Sequence, residues 1–343
     1  EHIDNPTGNT DMRHKDPDFA PPPTKIELAV HPVTGIRNYI ATEAEFPSAI
    51  GYISQQLQAA VHAGRGPAGF RHFGAALHTL EDYFAHSNFI EIALRKLGYL
   101  VDPWVPVPNQ GRIPLVTGRF IQTDVIASLG SKLAGLFHYE LGEYKHPTAG
   151  ERPLAVKVLL VLLHDTQQSK TQEYVEWALT LQEDINKSKF GYAMGWMSHY
   201  SIGYINSAIN YIISSLLNGV ADNVDDVQSG YLVDPNSQDP THSQLAKDHF
   251  EHHFHSIASL LSQEAVYRTG VALINAWNKK AENTDPFKVV QSLMVHPEDS
   301  TWHNAILAKW AKTHTKEIQR GMSRGWWLDF HKEYNQAIEQ MLK

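Results

Sequence analysis

The chain has 343 residues, of which 42% are apolar and 19% are charged, and its formal net charge is −8. This composition is typical of a globular protein with a substantial core, and it argues against a disordered chain and against binding to nucleic acid, which favours a basic surface. The chain has no cysteine, so disulfides, thiolate metal sites and cysteine nucleophiles are excluded.

The first part of the chain is predicted to be an extended segment followed by helices. Residues 1–24 are polar and end in three prolines, so we expect them to run extended over the surface. Residues 25–343 are expected to form a single large helical domain. Its first helices occupy 41–97, with a break at the Gly-Arg-Gly-Pro sequence of 64–67. The prolines and glycines of 99–120 predict a long structured loop.

The second part is also predicted to be mainly helical. Residues 190–221 carry no Asp, Glu, Lys or Arg, and their serines and asparagines favour a central helix of a soluble bundle over a membrane span. Residues 219–240 form an acidic loop without the ligand spacing of an EF-hand. A helix is expected to begin near Thr241, and 301–343 form a C-terminal helical region. The predicted fold class is an all-α, multi-helix bundle with long irregular loops.

A stripe of metal-ligand residues lies on the predicted helix that follows residue 67. His78, Asp82 and His86 are spaced i, i+4 and i+8, so they share an arc of about 80°. Small and apolar neighbours flank them where a solvated face would carry Lys, Glu or Gln. Imidazole and carboxylate are ligands that zinc takes. The pattern predicts a metal or catalytic site, and the alternative is a hydrogen-bonded structural cluster.

The densest histidine tract of the chain follows Thr241. Projected as one helix, the tract places His242, His249 and His253 on one stripe that would meet the first stripe within a bundle. We predict His242 and His249 as further metal ligands. Three residues point away from this stripe and are expected to face solvent: Asp248, His252 and His255. Clustered surface histidines without a ligand role are the alternative interpretation.

A basic stripe near the C-terminus supports a different function. Five cations follow one helical face and have tryptophans nearby: Lys309, Lys312, Lys316, Arg320 and Arg324, with Trp302, Trp310, Trp326 and Trp327. This combination suits an anionic lipid surface. The alternative interpretation is a solvated basic face over a core that holds the tryptophans.

Several blocks of the sequence resemble the Het-C family, known from fungal heterokaryon incompatibility. The most specific block is 77–88, which contains the His78 stripe. Further blocks are 114–120 with Asp124, 240–243 leading to 247–249, and the opening Glu-His-Ile-Asp-Asn-Pro of 1–6. The resemblance covers most of the first 250 residues and does not extend to the last 90.

The Het-C family is in turn distantly similar to zinc-dependent phospholipase C and the P1-type nucleases. That likeness implies their all-α fold, more than one zinc ion, and His78, Asp82 and His86 as ligands, although the third histidine of the phospholipases comes later than i+8. The favoured hypothesis is a metal-dependent phosphodiesterase that hydrolyses phospholipid head-group phosphodiesters through metal-activated water. Asp248 is the candidate general base.

The rival expectation is a non-catalytic, membrane-acting toxin or incompatibility protein in which the bound metal is structural. Both versions have a phospholipid or membrane surface as the partner, and both favour a secreted or membrane-associated protein. Nuclease action through the same metals is disfavoured by the negative net charge. Het-C proteins generally have more chain upstream, so a separate N-terminal fragment of the same precursor is a further expected partner.

Overall fold

The computed structural model describes residues 3–7, 11, 13, 21–41, 47–119, 237–248, 252–279 and 285–326. All of these belong to one compact unit, Glu1–Ile121 with Gly230–Lys332, while Gln122–Ser229 and Glu333–Lys343 make up a second unit. The charge-free segment 190–221, most of the acidic loop and His249 lie outside the described residues.

The regular secondary structure of the described residues is helical. Their extended stretches pair only through isolated β-bridges. The helices of the N-terminal part are α1 (Lys25–Leu28), α2 (Asn38–Ala41), α3 (Ala49–Ala63), α4 (Pro67–Ala85) and α5 (Phe89–Lys96). The later ones are α6 (His242–Leu245), α7 (His255–Trp277), α8 (Pro286–Leu293), a 3-10 turn at Pro297–Asp299, α9 (Asn304–Thr313) and α10 (Thr315–Arg320). The all-α prediction is confirmed for this part of the chain. None of the described helices is both long enough and apolar enough to span a membrane.

Helix α4 carries the predicted metal stripe and begins where the sequence predicts. Gly64 ends α3 with a φ of 72°, a left-handed conformation that glycine adopts without strain, and Pro67 opens α4 at its first turn. Leu80 and Phe84 are buried in the core, where α4 packs against α3 and α7. One face of α4 is therefore held rigidly by apolar contact.

Three extended stretches meet beside the C-terminal end of α4. Parallel bridges join Asn5 to Arg119 and Arg119 to Thr241, so Arg119 lies between the start of the chain and the residues that precede α6. The backbone N–H of Gly118 donates to the carbonyl of His86 at 3.1 Å, which attaches the same stretch to α4. These pairings bring residues from three distant parts of the sequence together.

The N-terminal arm, residues 3–7, does not follow the prediction of a segment lying over the surface. Ile3 and Asn5 are buried. The hydroxyl of Thr117 donates to the Ile3 carbonyl at 2.6 Å, and the Asn5 side-chain amide donates to Asp239 at 2.9 Å. An apolar side chain and satisfied backbone groups thus hold the arm in the core, a contact that the polar composition of 1–24 conceals.

The histidine tract after Thr241 is not one continuous helix. Thr241 caps α6 by accepting from the N–H of Gln244, but α6 ends after four residues at Leu245. The N–H of Lys247 then donates to the carbonyl of Ala85 at 2.9 Å instead of to a carbonyl of its own helix. The single-stripe projection of this tract is therefore wrong.

Candidate metal centre

Asp4, His86 and His242 converge beside the end of α4. Each offers a metal-binding atom, and these atoms lie within 4.8 Å of one another. Asp4 comes from the N-terminal arm, His86 is the residue that caps the C-terminus of α4, and His242 is the first residue of α6. Two of the predicted ligands thus lie together, and they are joined by an aspartate that was not predicted.

His86 is held in the protein interior with unused hydrogen-bonding capacity. Its residue exposure is 6%, and its Nδ1 is buried with no hydrogen-bond partner among the described residues. Its backbone N–H donates to the Asp82 carbonyl at 2.7 Å, which fixes the position of its Cα and Cβ. A buried imidazole nitrogen without a partner is costly unless a ligand or water satisfies it. This nitrogen is therefore a candidate ligand atom.

His242 is oriented by a carboxylate. Its Nδ1 lies 2.8 Å from Oδ1 of Asp4, and since a carboxylate accepts, Nδ1–H is the donor and Nε2 is the basic nitrogen. The ring stands nearly perpendicular to the ring of His86, with centroids 4.5 Å apart. A histidine whose second nitrogen is held by a carboxylate is the usual arrangement of a zinc ligand.

Asp248 lies at the solvent side of this cluster. Its Oδ2 is 3.5 Å from Nε2 of His86, and its side chain is 55% exposed. The predicted exposure of Asp248 is correct. An exposed carboxylate next to a buried ligand group can exchange protons with solvent, which suits a general base.

Lys247 clamps the two segments that carry the cluster. Its ammonium group is fully buried and contacts Oε1 of Glu91 at 2.9 Å, and it donates to the carbonyls of Ser87 and Leu245 at 2.8 and 2.9 Å. Burial raises the pKa of Glu91 and lowers the pKa of Lys247, while the attraction between them opposes both shifts. The clamp joins the residue after His86 to the residue before Asp248.

His78 and Asp82 form a separate pair on α4. Asp82 is buried, whereas the side chain of His78 is 52% exposed, and Nε2 of His78 lies 3.8 Å from Oδ2 of Asp82. Among the described residues the cluster of three potential ligands does not include them. The regular helix ends at Ala85, so the eight-residue spacing does not extend in ideal geometry to His86.

His252 and His253 are packed inside the unit, so the prediction that His252 faces solvent is wrong. The two rings stack at 4.4 Å, and both stand edge-on to the ring of Trp326. Burial, together with the charges of Arg320 and Lys247, lowers the pKa of His253 to about 3, so this imidazole is neutral. Among the described residues, neither histidine belongs to the cluster of three potential metal ligands.

The residues of the C-terminal basic stripe do not lie on one continuous helix. Lys309, Lys312, Lys316 and Arg320 are exposed, and His314 separates α9 from α10 between the second and third of them. Arg324 instead turns inward to an ion pair with Asp102 at 3.1 Å. Two of the four tryptophans, Trp310 and Trp326, are buried in the core, and Trp327 lies outside the described residues.

Comparison with known proteins assigns the family. The family model described as heterokaryon incompatibility protein Het-C matches residues 1–145 and 159–343, which includes the last 90 residues that the sequence blocks leave unmatched. No curated protein and no solved structure matches the chain. The match spans nearly the whole sequence, including the segments that carry Asp4, His86 and His242. The chain therefore belongs to the Het-C family.

Proposed function

We propose that the chain is a metal-dependent phosphodiesterase, similar to phospholipase C, that hydrolyses the head-group phosphodiesters of phospholipids. The observation that carries the proposal is the convergence of Asp4, His86 and His242 to within 4.8 Å. The likeness of the Het-C family to the phospholipase C and P1 nuclease fold, together with the all-α architecture, supports the same proposal.

The donor set fits zinc better than a hard cation. Two imidazoles, one of them held by a carboxylate, are typical of a zinc site, whereas Mg²⁺ and Ca²⁺ take oxygen ligands. The buried Nδ1 of His86 also has no hydrogen-bond partner among the described residues, as expected for a nitrogen that binds a metal. His78, Asp82 and His249 remain candidates for a second ion.

A zinc ion at this centre would supply a Lewis acid and a bound water of lowered pKa. Asp4 fixes the tautomer of His242 and leaves its Nε2 basic. Asp248 accepts the proton that the attacking water loses, and its exposed carboxylate releases that proton to solvent. Lys247 fixes the position of Asp248 relative to His86, because its buried ammonium group donates to the carbonyls of Ser87 and Leu245.

The test is release of phosphorylated head group from phosphatidylcholine vesicles by protein whose zinc content has been measured by elemental analysis. We expect turnover that a chelator abolishes and that added zinc restores. Asp248→Asn should retain zinc and lose most of the turnover, because it removes the base and keeps the shape. Zinc-loaded protein that releases nothing contradicts the proposal.

A matched control compares His86, which caps α4, with a histidine of α3. His86→Ala should lose both zinc and turnover, whereas His62→Ala should lose neither, because His62 is exposed at the end of α3. Equal effects of the two substitutions would indicate that zinc binds nonspecifically to histidine.

The second candidate is a non-catalytic, membrane-acting protein with a structural metal. It is favoured by the four exposed cations Lys309, Lys312, Lys316 and Arg320. Flotation with vesicles that contain an anionic lipid tests it. Replacement of both Lys309 and Lys316 by Glu should abolish flotation, and unchanged flotation rules out the basic stripe as the membrane contact.

A further inference from the structure

Three helix ends meet at a place that contains no residue of the metal centre. The ring of Phe70, in the first turn of α4, stands edge-on to the ring of Trp277, the last residue of α7, with centroids 5.3 Å apart. The indole N–H of Trp277 donates to the carbonyl of Ala60 in α3 at 3.0 Å. Val61 follows Ala60, and Ile274 lies one helical turn before Trp277. We call Val61, Phe70, Ile274 and Trp277 the apolar tip.

The large side chains of the apolar tip are exposed. Phe70 is 52% exposed and Ile274 is 46% exposed, and Val61 is exposed as well. Two further exposed residues of α7, Val271 and Tyr267, lie three and seven positions before Ile274, so they continue the same face of the helix. A single exposed apolar residue is ordinary, but a group of them marks a contact surface for a partner.

Only cations accompany the apolar tip along the sequence. The segments 46–80 and 265–281 contain all of its residues and have neither Asp nor Glu, although the whole chain carries a net charge of −8. Their five cations are Arg65, Arg71, Arg268, Lys279 and Lys280. Two segments without acids that pack together in an acidic protein form a local positive surface, which is complementary to an anionic partner.

Three of these cations are exposed and flank the apolar tip. Arg65 lies in the turn between α3 and α4. Arg71 is the next residue after position 70, and Lys279 lies two residues beyond the end of α7. The acid that precedes the second segment, Glu264, is paired with Arg268 at 2.7 Å. The surface therefore has exposed apolar side chains at its centre and exposed cations beside them.

We propose that the apolar tip inserts into the interface of a bilayer that contains anionic phospholipid. Such a bilayer has a negative layer of head groups directly over an apolar layer, so it satisfies the cations and the apolar side chains together. An acidic protein would have to supply an apolar pocket within its acidic surface. Tryptophan is enriched at membrane interfaces, and the N–H of Trp277 is already paired, so its insertion leaves no donor unsatisfied.

The inference goes beyond both candidate functions above. Insertion requires neither a metal nor turnover, and the apolar tip shares no residue with the C-terminal basic stripe. The phosphodiesterase is tested on phosphatidylcholine vesicles with zinc-loaded protein, whereas insertion is tested on phosphatidylserine-containing vesicles with protein dialysed against a chelator. The two proposals therefore fail separately.

The first experiment uses the absence of cysteine from the chain. Ile274→Cys carries one fluorophore whose emission depends on polarity, and Ile26→Cys is the matched control because Ile26 is 68% exposed on α1, outside the apolar tip. On addition of phosphatidylcholine vesicles that contain phosphatidylserine, we expect emission at position 274 to move to shorter wavelength and emission at position 26 to stay unchanged. No shift at 274, or equal shifts at both positions, overturns the proposal.

The second experiment measures affinity by flotation with the same vesicles. Ile274→Asn should weaken binding about tenfold, whereas Ile26→Asn should not weaken it. Lys279→Gly should weaken it about fivefold, which corresponds to about 1 kcal/mol for one cation near the surface. Lys279 has a φ of 52°, a conformation that glycine adopts without strain, so this variant keeps the fold. If Lys25→Gln, at an exposed cation of α1, causes the same loss, the effect is one of net charge and the tip is refuted.

Two further outcomes assign the contact elsewhere. Flotation that requires Lys309 and Lys316 but not Ile274 places the membrane contact on the C-terminal basic stripe and overturns the proposal. A shift at position 274 that polyglutamate produces and the vesicles do not identifies an acidic protein as the partner, and this result also overturns it.

Discussion

His303 illustrates what burial does to a single titratable residue. It is completely buried against Phe89 and Trp302, and its two ring nitrogens have no hydrogen-bond partner among the described residues. Burial, with a smaller contribution from the charge of Lys96, lowers the pKa of His303 from 6.5 to about 4. The folded state therefore keeps this imidazole neutral at a pH at which the unfolded chain binds a proton.

The stability of the protein should consequently decrease as the pH falls from 7 to 5. The unfolded state takes up the proton first, so the contribution of His303 is complete above about pH 6.5 and is lost as the pH falls towards 4. His303→Met should make thermal unfolding less dependent on pH over this range. His62→Met, at an exposed position, should leave the dependence unchanged, and a wild-type slope in His303→Met contradicts the assignment.

Asp4 is expected to control metal affinity through His242. Asp4→Asn keeps the size of the side chain and removes the charge that favours the Nδ1–H tautomer. We expect zinc affinity to fall by about 10- to 100-fold, measured by competition with a chromophoric chelator. Asp11→Asn is the control, because Asp11 is exposed and pairs with Arg13. Unchanged affinity in Asp4→Asn would remove Asp4 from the centre.

Single residues also mark the limit of sequence reasoning. His86 could be predicted because imidazole next to small apolar neighbours is an unusual local pattern. His242 was predicted from a continuous helical projection that the short α6 contradicts. Asp4 was missed because it lies in a polar, proline-containing arm, 238 residues from the histidine it contacts. The sequence signal that points to Asp4 is the opening block of 1–6, which resembles the Het-C family.

At the level of elements, Gly118 allows the backbone of its stretch to lie close to the backbone of α6 at His242. A Cβ at this position would lie 2.4 Å from Cα of His242 and 2.9 Å from its N. Backbone atoms cannot move aside as a side-chain end does, so Gly118→Ala must displace α6 or the stretch that contains residue 118. We expect a loss of about 1–3 kcal/mol in the free energy of unfolding and weaker zinc binding, measured by urea unfolding and zinc titration.

Gly74 is the control for this substitution. It lies within α4, and a Cβ there meets nothing within 4 Å. Gly74→Ala should therefore stabilise the protein by about 0.5–1 kcal/mol through helix propensity and leave zinc affinity unchanged. If both glycine substitutions are neutral, the close approach at Gly118 is not rigid.

Removal of the Lys247 ammonium is expected to be more severe than removal of the whole ion pair. Lys247→Met leaves the buried carboxylate of Glu91 without its cation, which costs about 3–5 kcal/mol for such a pair. The double replacement Lys247→Met with Glu91→Leu leaves no buried charge and should recover most of this stability. Urea unfolding of the two variants measures the difference, and equal losses contradict the argument.

The same lysine explains why helix prediction failed after Thr241. Helical periodicity continues through the tract, and the capping residue of α6 is favourable. The chain leaves the helix because the backbone of Lys247 pairs with Ala85 and its ammonium pairs with Glu91. Both partners are distant in sequence, so local propensity could not indicate them. In contrast, the break before α4 was predictable because Gly64 and Pro67 impose it locally.

Taken as a whole, the described unit should be stabilised by metal, because the centre joins the arm, α4 and α6. A ligand that binds only the folded state raises the unfolding temperature by mass action. We expect a chelator to lower the thermal midpoint by several degrees in the wild type, as about 1 kcal/mol shifts it by 2–4 °C at this size. His86→Ala should show no such response, and an equal response in the variant places the stabilising metal elsewhere.

The overall fold class was within reach of the sequence because periodicity, composition and the absence of alternating apolar patterns all indicate helices. The assembly of the centre was not, because it depends on the bridges from Asn5 to Arg119 and from Arg119 to Thr241. Such pairings between distant segments leave no periodic trace. The helices could therefore be predicted, but the pairing of the arm and the residues before α6 beside His86 could not.

The bridge of the arm to Thr241 through Arg119 also has a consequence for biosynthesis. The arm leaves the ribosome well before its partner, which is translated 238 positions later. At about 5–20 residues per second this interval is on the order of ten seconds or more. During that time Ile3 is an apolar side chain without its final neighbours, so a nascent chain of this kind is expected to be a client for a chaperone until residue 242 emerges.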